Sequence, residues 1–78
     1  MIDFEKLKEV VSDILAVDIN NIDENSSSDN IDQWDSLSHI RLVMAIEAEF
    51  EVKLTPDDMM DMLSVKLIKM ILEDKIDI

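Results

Sequence analysis

The sequence predicts an all-α fold, a four-helix bundle with three longer helices and one short helix around a single core. Two observations support this prediction. Apolar residues recur at intervals of three and four along several stretches, which is the spacing of amphipathic helices. The chain also has no glycine and only one proline in 78 residues, a composition that suits helices better than hairpins. Its length predicts one domain, residues 1–78, with one modest core.

Helix I is expected over about residues 3–17, where apolar residues are spaced by three, four and three. Asp3 is its candidate N-cap. The apolar stripe of this helix consists of Phe4, Leu7, Val11 and Ile14. Because glycine is absent, left-handed backbone positions are expected to fall to asparagines of the segment that follows. These asparagines are Asn20, Asn21, Asn25 and Asn30.

A long loop is expected between helices I and II, over residues 18–35. The loop contains six carboxylates and no basic residue, together with a run of serines at 26–28. Three isoleucines, Ile19, Ile22 and Ile31, are expected to pin it to the core. Connections of this length are uncommon in small domains and are often functional.

Helix II is expected over about residues 36–50, which are mostly strong helix formers, and its side chains fall on two apolar sides. One side is the expected core face, formed by Leu42, Val43, Ile46 and Phe50. The other side lies roughly 160° around the helix axis. It consists of Leu37, Ile40 and Met44. This second side either packs under the long loop or forms a partner surface, and the partner surface is favoured because so small a domain can hardly bury a helix all round.

Two further helices follow. The tetrapeptide Thr55-Pro56-Asp57-Asp58 predicts the start of short helix III, about residues 56–62, since threonine caps, proline fits the first turn and aspartates favour the positive helix end. Ser64 is the candidate cap of helix IV, about residues 64–75. The stripe of helix IV consists of Val65, Ile68 and Leu72, widened by Leu67 and Ile71.

The charge balance and the missing residue types exclude several classes of function. Nineteen acidic residues against seven basic ones give a net charge of −12. This charge repels nucleic acid and anionic membranes and favours partners with basic patches. The absence of cysteine excludes disulfides and thiolate metal sites, and neither a calcium loop nor a transition-metal ligand set is recognisable. With no secretion signal and no membrane-spanning run, a cytoplasmic monomer is expected.

Ser36 lies where a long polar loop gives way to helix II. A phosphate attached there would be favoured by the unpaired N–H groups and the dipole of the helix start. Alternatively, Ser36 or Asp35 is an ordinary N-cap. A nucleophilic serine activated by His39 is disfavoured, because that histidine is on the same helix and no glycine-rich oxyanion turn is present.

The motif D-S-L at 35–37, opening a helix that reads LSHIRLVMAIEAEFEV, is followed by TPDDMMDML and an amphipathic last helix. This order resembles the acyl carrier proteins over nearly the whole chain. The resemblance implies a carrier that is not an enzyme. A phosphopantetheinyl transferase would attach phosphopantetheine from coenzyme A, and the thiol of this arm would carry acyl groups as thioesters between acyl-loading and acyl-transfer enzymes with basic docking patches.

The resemblance also implies roles for individual residues. Ser36 becomes the attachment site of phosphopantetheine, flanked by Asp35 and Leu37. The implied partner surface adds Ile40, Arg41, Met44, Glu47, Asp57, Asp58 and Asp61 to this motif. The implied acyl cleft is lined by His39, Leu42, Ile46 and Met62. For His39, a hydrogen-bonded position at the core edge is the alternative.

Several departures from the family pattern bear on the pathway. Gln33-Trp34 precede the motif where carriers of primary fatty-acid synthesis usually have a glycine, and Ser38, Arg41 and Ala48 occupy positions that are commonly acidic. A carrier with dedicated partners in a specialised pathway is therefore favoured. A primary fatty-acid carrier, an aminoacyl or peptidyl carrier and an acidic helical adaptor without a cofactor remain alternatives. Trp34 either shields the base of the arm or anchors the loop.

Overall fold

A computed structural model describes residues 2–76 and contains four α-helices in the predicted order. They are α1 (Phe4–Leu15), α2 (Ser36–Phe50), α3 (Pro56–Asp61) and α4 (Val65–Ile76). A short 3₁₀ turn, Ile19–Asn21, interrupts the loop between α1 and α2 and was not predicted. Apart from an isolated antiparallel bridge between Ser27 and Ser64, residues 2–76 form no strand. The predicted all-α fold is confirmed.

Local capping sets where these helices begin. The Asp3 carboxylate accepts a hydrogen bond from the Lys6 N–H at 3.2 Å and so caps α1 as predicted. Thr55 forms a capping box with Asp58 at the start of α3, and the Ser64 hydroxyl accepts from the Leu67 N–H at 3.2 Å in α4. The capping residues predicted from the sequence, Asp3, Thr55 and Ser64, therefore do cap α1, α3 and α4.

The expectation that asparagines take the left-handed backbone positions is wrong, because these positions lie at two helix ends. The positive φ angles among the described residues belong to Ala16, at 57°, and Glu51, at 53°. Helix α1 ends at Leu15, two residues before the predicted boundary, and its C-cap Ala16 donates its N–H to the Ser12 carbonyl. Glu51 ends α2 in the same way by bonding the Glu47 carbonyl. The tertiary position of each helix end, and not the local preference of the residue, decides which residue takes the left-handed conformation.

The core fills the space between the helices and beneath the loop. Its most buried members are Leu7, Val10, Val11 and Leu15 of α1, Leu42, Val43 and Ile46 of α2, Met62, and Val65, Ile68 and Leu72 of α4. Ile22, Ile31 and Trp34 attach the loop to this core, whereas Ile19 is only half-buried. Phe4 and Ile14, expected in the core, are half-buried at its edge because Val10 and Leu15 take the deeper positions.

The long loop is ordered by its contact with the start of α4. The carbonyls of Ser26 and Glu24 accept the backbone N–H groups of Val65 and Lys66 at 2.9 and 3.1 Å. The buried Ser26 hydroxyl in turn accepts from the Asp23 N–H at 2.9 Å. The loop backbone thus satisfies N–H groups that the first turn of α4 leaves unpaired, which fixes the loop across the bundle toward Ser36.

Candidate functional site

Ser36 is the first residue of α2 and its side chain is exposed. The capping role falls to Asp35, whose carboxylate accepts from the Ser38 N–H at 2.9 Å. The backbone and hydroxyl hydrogen bonds from Ser38 lower the pKa of Asp35 below its ordinary value. The two roles left open at this position are therefore divided, because Asp35 caps the helix and the Ser36 hydroxyl is left at the surface.

An open cavity of about 340 Å³ borders Ser36. It is lined by Ser28, Trp34, Asp35, Ser36, His39, Met62 and Leu63. Serine and aspartate side chains make one part of its wall polar, while the indole, the thioether and the leucine make the rest apolar. A group attached to Ser36 thus has a partly apolar recess beside it, within the size range of small-molecule sites.

Trp34 and His39 form part of the wall of this cavity. The Trp34 indole is only 4% exposed, and its Nε1–H donates to His39 Nδ1 at 2.9 Å. His39 Nε2 lies 2.8 Å from the Met59 carbonyl oxygen. An indole can only donate and a carbonyl can only accept, so His39 carries its hydrogen on Nε2 and is the neutral tautomer. Trp34 is therefore an anchor of the loop to α2 and, through His39, to α3.

This arrangement bears on the alternative in which His39 activates a nucleophilic Ser36 and the protein is a small hydrolase. The lone pair of His39 Nδ1 is occupied by the Trp34 N–H, and Nε2 is directed at the Met59 carbonyl. Neither nitrogen is available to take a proton from the Ser36 hydroxyl. The alternative of a core-edge, hydrogen-bonded histidine describes the observed geometry.

The second apolar side of α2 is exposed. Leu37 is 68% exposed, Ile40 47% and Met44 63%. Arg41 is also exposed beside them. The long loop does not cover this side, so the alternative in which it packs under the loop is wrong. Three large apolar side chains on one helix face, next to Ser36, form a surface suited to contact with another protein. Leu37, Ile40 and Met44 together are the exposed apolar stripe of α2, called simply the apolar stripe from here on.

Of the four carboxylates predicted for the partner surface, two are held by hydrogen bonds within the protein and two are exposed on α3. Glu47 is half-buried, and its carboxylate accepts from the Leu54 N–H at 2.9 Å, which holds the connection between α2 and α3. Asp58 accepts from the Thr55 N–H at 2.9 Å and pairs with Lys75 at 2.7 Å. The hydrogen bond from Lys75 is the main reason that the pKa of Asp58 lies below its ordinary value. Asp57 and Asp61 are exposed at the surface of α3.

Of the four residues predicted for the acyl cleft, two line the cavity and two are buried in the core. Met62 and the half-buried His39 line the cavity beside Ser36. Leu42 and Ile46 do not line it and have no exposed surface, because they are packed in the core between α2 and its neighbours. The structure thus brings His39 and Met62 to Ser36, while Leu42 and Ile46 lie deeper along α2.

Sequence reasoning did not assign three residues of this site. Ser28 and Leu63 reach the cavity from the long loop and from the segment between α3 and α4, and Met59 contributes only a backbone carbonyl. Ser28 and Leu63 carry no local signal. The Trp34–His39 pair had a partial one, because a buried indole N–H usually finds an acceptor and His39 is one of several acceptor side chains within five residues of Trp34.

Two features do not occur within residues 2–76. No helix in this range is long and apolar enough to cross a membrane. No group of three or more histidine, aspartate or glutamate side chains within it is arranged to hold a metal ion.

Comparison with known proteins identifies the family. Residues 5–71 match the family described as the phosphopantetheine attachment site. The acyl carrier protein of Petrotoga mobilis is 34% identical over 76 residues, which span 96% of this chain and 88% of that protein. The acyl carrier protein of Clostridium acetobutylicum is 38% identical over 55 residues, 70% of each chain. The solution structure of a holo acyl carrier protein from Geobacter metallireducens shares the fold, with a TM-score of 0.86, 22% identity, and coverage of 99% of this chain and 88% of that one.

The fold and the family match together define a carrier domain that bears phosphopantetheine. The chain belongs to the acyl carrier protein family. It is a carrier and not an enzyme, its prosthetic group is phosphopantetheine, and its partners include a phosphopantetheinyl transferase and acyl-handling enzymes. This membership decides against the cofactor-free adaptor and the hydrolase.

Proposed function

We propose that Ser36 carries the phosphopantetheine arm and that acyl groups travel on its thiol. The observation that carries this proposal is the exposed Ser36 hydroxyl at the start of α2, which is released from capping by Asp35 and borders an open cavity. The residues fit the group, because the positive end of the helix dipole favours a phosphate and the cavity offers room for the base of the arm. In the attachment, the Ser36 hydroxyl would lose its proton and form an Oγ–phosphorus bond as the diphosphate bond of coenzyme A breaks, with adenosine 3′,5′-bisphosphate as the leaving group.

Intact-mass measurement tests this assignment. Incubation with coenzyme A and a permissive phosphopantetheinyl transferase is expected to add one phosphopantetheine to the wild-type chain and none to Ser36→Ala. Ser38→Ala is the matched control, since this serine lies on the same first turn and is expected to leave the modification intact. Absence of a mass gain with several transferases, or a gain in Ser36→Ala, would contradict the assignment.

The proposed partner surface extends from Ser36 along α2 to α3. Its apolar part is the apolar stripe, and its acidic part consists of Asp57 and Asp61, with Glu47 and Asp58 held beside them by internal hydrogen bonds. Arg41 places a positive charge within this surface. A cation there repels the basic patches that recognise acidic carriers in general, so it favours a dedicated partner with its own complementary charge and, with it, a specialised pathway.

Charge reversal at Arg41 tests the dedicated-partner proposal. With an acyl-transfer enzyme of primary fatty-acid synthesis as the probe, Arg41→Glu is expected to raise kcat/KM several-fold over wild type, mostly by lowering KM. Lys53→Glu makes the same change of charge at an exposed position outside helix α2 and is the matched control. An Arg41→Glu variant that performs no better than wild type, or only as well as the Lys53 control, would contradict the proposal.

A further inference from the structure

The hydrogen-bonded chain Trp34–His39–Met59, called the latch, connects α2 with α3, and two of its members, Trp34 and His39, line the cavity beside Ser36. His39 lies on the first turn of α2, and its Nε2 reaches the Met59 carbonyl of α3 at 2.8 Å. The Trp34 indole stacks on the imidazole, with ring centroids 6.2 Å apart and planes inclined by 23°. The latch therefore joins the loop and both helices at one level of the bundle.

The position of the latch decides what a chain attached at Ser36 can reach. Leu42 and Ile46 follow His39 at three and seven residues, so they lie one and two turns deeper on the same side of α2. An acyl chain that passes from Ser36 toward them between α2 and α3 meets the His39–Met59 hydrogen bond. Trp34, His39 and Met62 line the cavity, whereas Leu42 and Ile46 have no exposed surface. The recess beside Ser36 thus ends at the latch.

Opening the latch is unfavourable. Separation of α2 from α3 at this level leaves the Met59 carbonyl without the imidazole N–H, and displacement of His39 leaves the nearly buried Trp34 indole N–H without an acceptor. The tight packing of Leu42, Ile46 and Met62 would have to be broken as well. A flexible apolar chain has to offset both losses before it enters the core.

We propose that Trp34 and His39 are specificity-determining residues. They keep the attached acyl group in the cavity beside Ser36, so that this carrier protects only short acyl groups from solvent. Longer unbranched chains extend past Met62 and Leu63 into solvent and are not taken up between α2 and α3. This inference rests on the proposed attachment at Ser36.

Thioester reactivity in latch variants tests the proposal. Ser36 is loaded with butyryl- or octanoyl-phosphopantetheine from the corresponding acyl-coenzyme A, and cleavage by hydroxylamine is timed by mass spectrometry. In the wild-type chain the octanoyl thioester is expected to react at least as fast as the butyryl thioester. In His39→Ala, which removes both hydrogen bonds and opens a passage, the octanoyl thioester is expected to react at least fivefold more slowly than the butyryl thioester of the same variant.

His39→Gln is the conservative control, since its amide can accept from the indole and donate to the Met59 carbonyl at once; it is expected to react as wild type does. Trp34→Phe breaks only the hydrogen bond between Trp34 and His39, so it is expected to protect the octanoyl thioester to an intermediate degree. It replaces His39→Ala if that variant fails to fold. Acrylamide quenching of Trp34, the single tryptophan, reports the state of the latch without any arm, and His39→Ala is expected to increase it.

Three outcomes would overturn the inference while leaving the attachment intact. They are an octanoyl thioester already protected several-fold in wild type, latch variants with unchanged octanoyl rates, and His39→Gln that behaves like His39→Ala. Failure of Ser36 to accept any arm would instead overturn the proposed function, and would be seen in the mass spectrum before hydroxylamine is added.

Discussion

Asp35 and Ser36 are neighbours at the start of α2, but only Asp35 caps the helix. The Asp35 carboxylate closes the helix start through the Ser38 N–H, so the Ser36 hydroxyl is free of a structural task. If Ser36 is the attachment site, as proposed, its hydroxyl cannot also cap the helix, because modification would remove the cap. The division of these two roles is what makes Ser36 suitable for an attached group.

The Trp34–His39 pair is expected to contribute to stability as well as to selectivity. Trp34→Phe removes the indole N–H and part of the buried ring volume, so the free energy of unfolding is expected to fall by about 1 to 3 kcal/mol. Urea unfolding followed by circular dichroism measures this change. Leu37→Ala, on the exposed apolar stripe, is the control and is expected to change stability by no more than about 0.5 kcal/mol. Equal effects of the two substitutions would argue against a structural role for the indole.

At the scale of elements, α3 depends on its neighbours more than on itself. A helix of six residues is too short to persist in isolation, since nucleation is costly and few internal hydrogen bonds follow it. It is held by the capping box of Thr55 and Asp58, by Lys75 of α4 and by His39 of α2. These attachments come from both sides, so the position of α3 reports on the packing of the whole bundle.

The pairing of Asp58 predicts a loss of stability in acid. Lys75 lowers the pKa of Asp58 in the folded state, so the contribution of this carboxylate is complete above its unfolded pKa and disappears as pH falls through the lower folded value. Asp58→Asn, which keeps an acceptor for the Thr55 N–H, is expected to be less stable than wild type at neutral pH. The difference is expected to shrink toward zero in acid, as measured by urea unfolding across pH. A difference that does not depend on pH would contradict the assigned pairing.

The connection between α2 and α3 depends on Glu47. Its carboxylate accepts the Leu54 N–H, so Glu47→Ala leaves this half-buried donor without its partner and is expected to cost about 1 kcal/mol in unfolding free energy. Glu47→Gln keeps an acceptor oxygen and is the matched control, expected to lose less than half as much. Chemical denaturation of both variants distinguishes the structural role from a purely electrostatic one, which would predict that the two substitutions behave alike.

At the scale of the whole molecule, the net charge of −12 opposes folding. The six carboxylates of residues 18–35 have no basic residue among them, and the chain as a whole has only seven lysines and arginines. Mutual repulsion of these charges raises the free energy of the compact state and is weakened by salt. The same charge would favour encounter with the basic docking patches proposed for the partner enzymes, so one property would serve recognition at a cost in stability.

Salt is therefore expected to raise the melting temperature by several degrees between low and physiological ionic strength. Thermal unfolding monitored by circular dichroism measures this response. The double substitution Asp29→Asn and Asp32→Asn removes two exposed charges of the loop and is expected to make the response to salt smaller. A melting temperature that does not change with salt in either chain would contradict the proposed repulsion.

The order of the helices, their bounds to within two residues, the two-sided character of α2 and the position of Ser36 at a helix start could all be predicted from the sequence. These features depend on local rules, namely apolar periodicity and the caps supplied by Asp3, Thr55 and Ser64, which act over a few residues. For the same reason α2 begins and ends as predicted.

Other features depend on tertiary packing, namely the exposure of the apolar stripe, the left-handed conformation of Ala16 and Glu51 at their helix ends, and the position of Trp34 in the wall of the cavity beside Ser36. The same holds for the bonds from His39 to Met59 and from Lys75 to Asp58, whose partners are 20 and 17 residues apart in sequence. Such contacts depend on how helices pack against one another, and periodicity along one helix contains no information about which side chain of another helix it will meet.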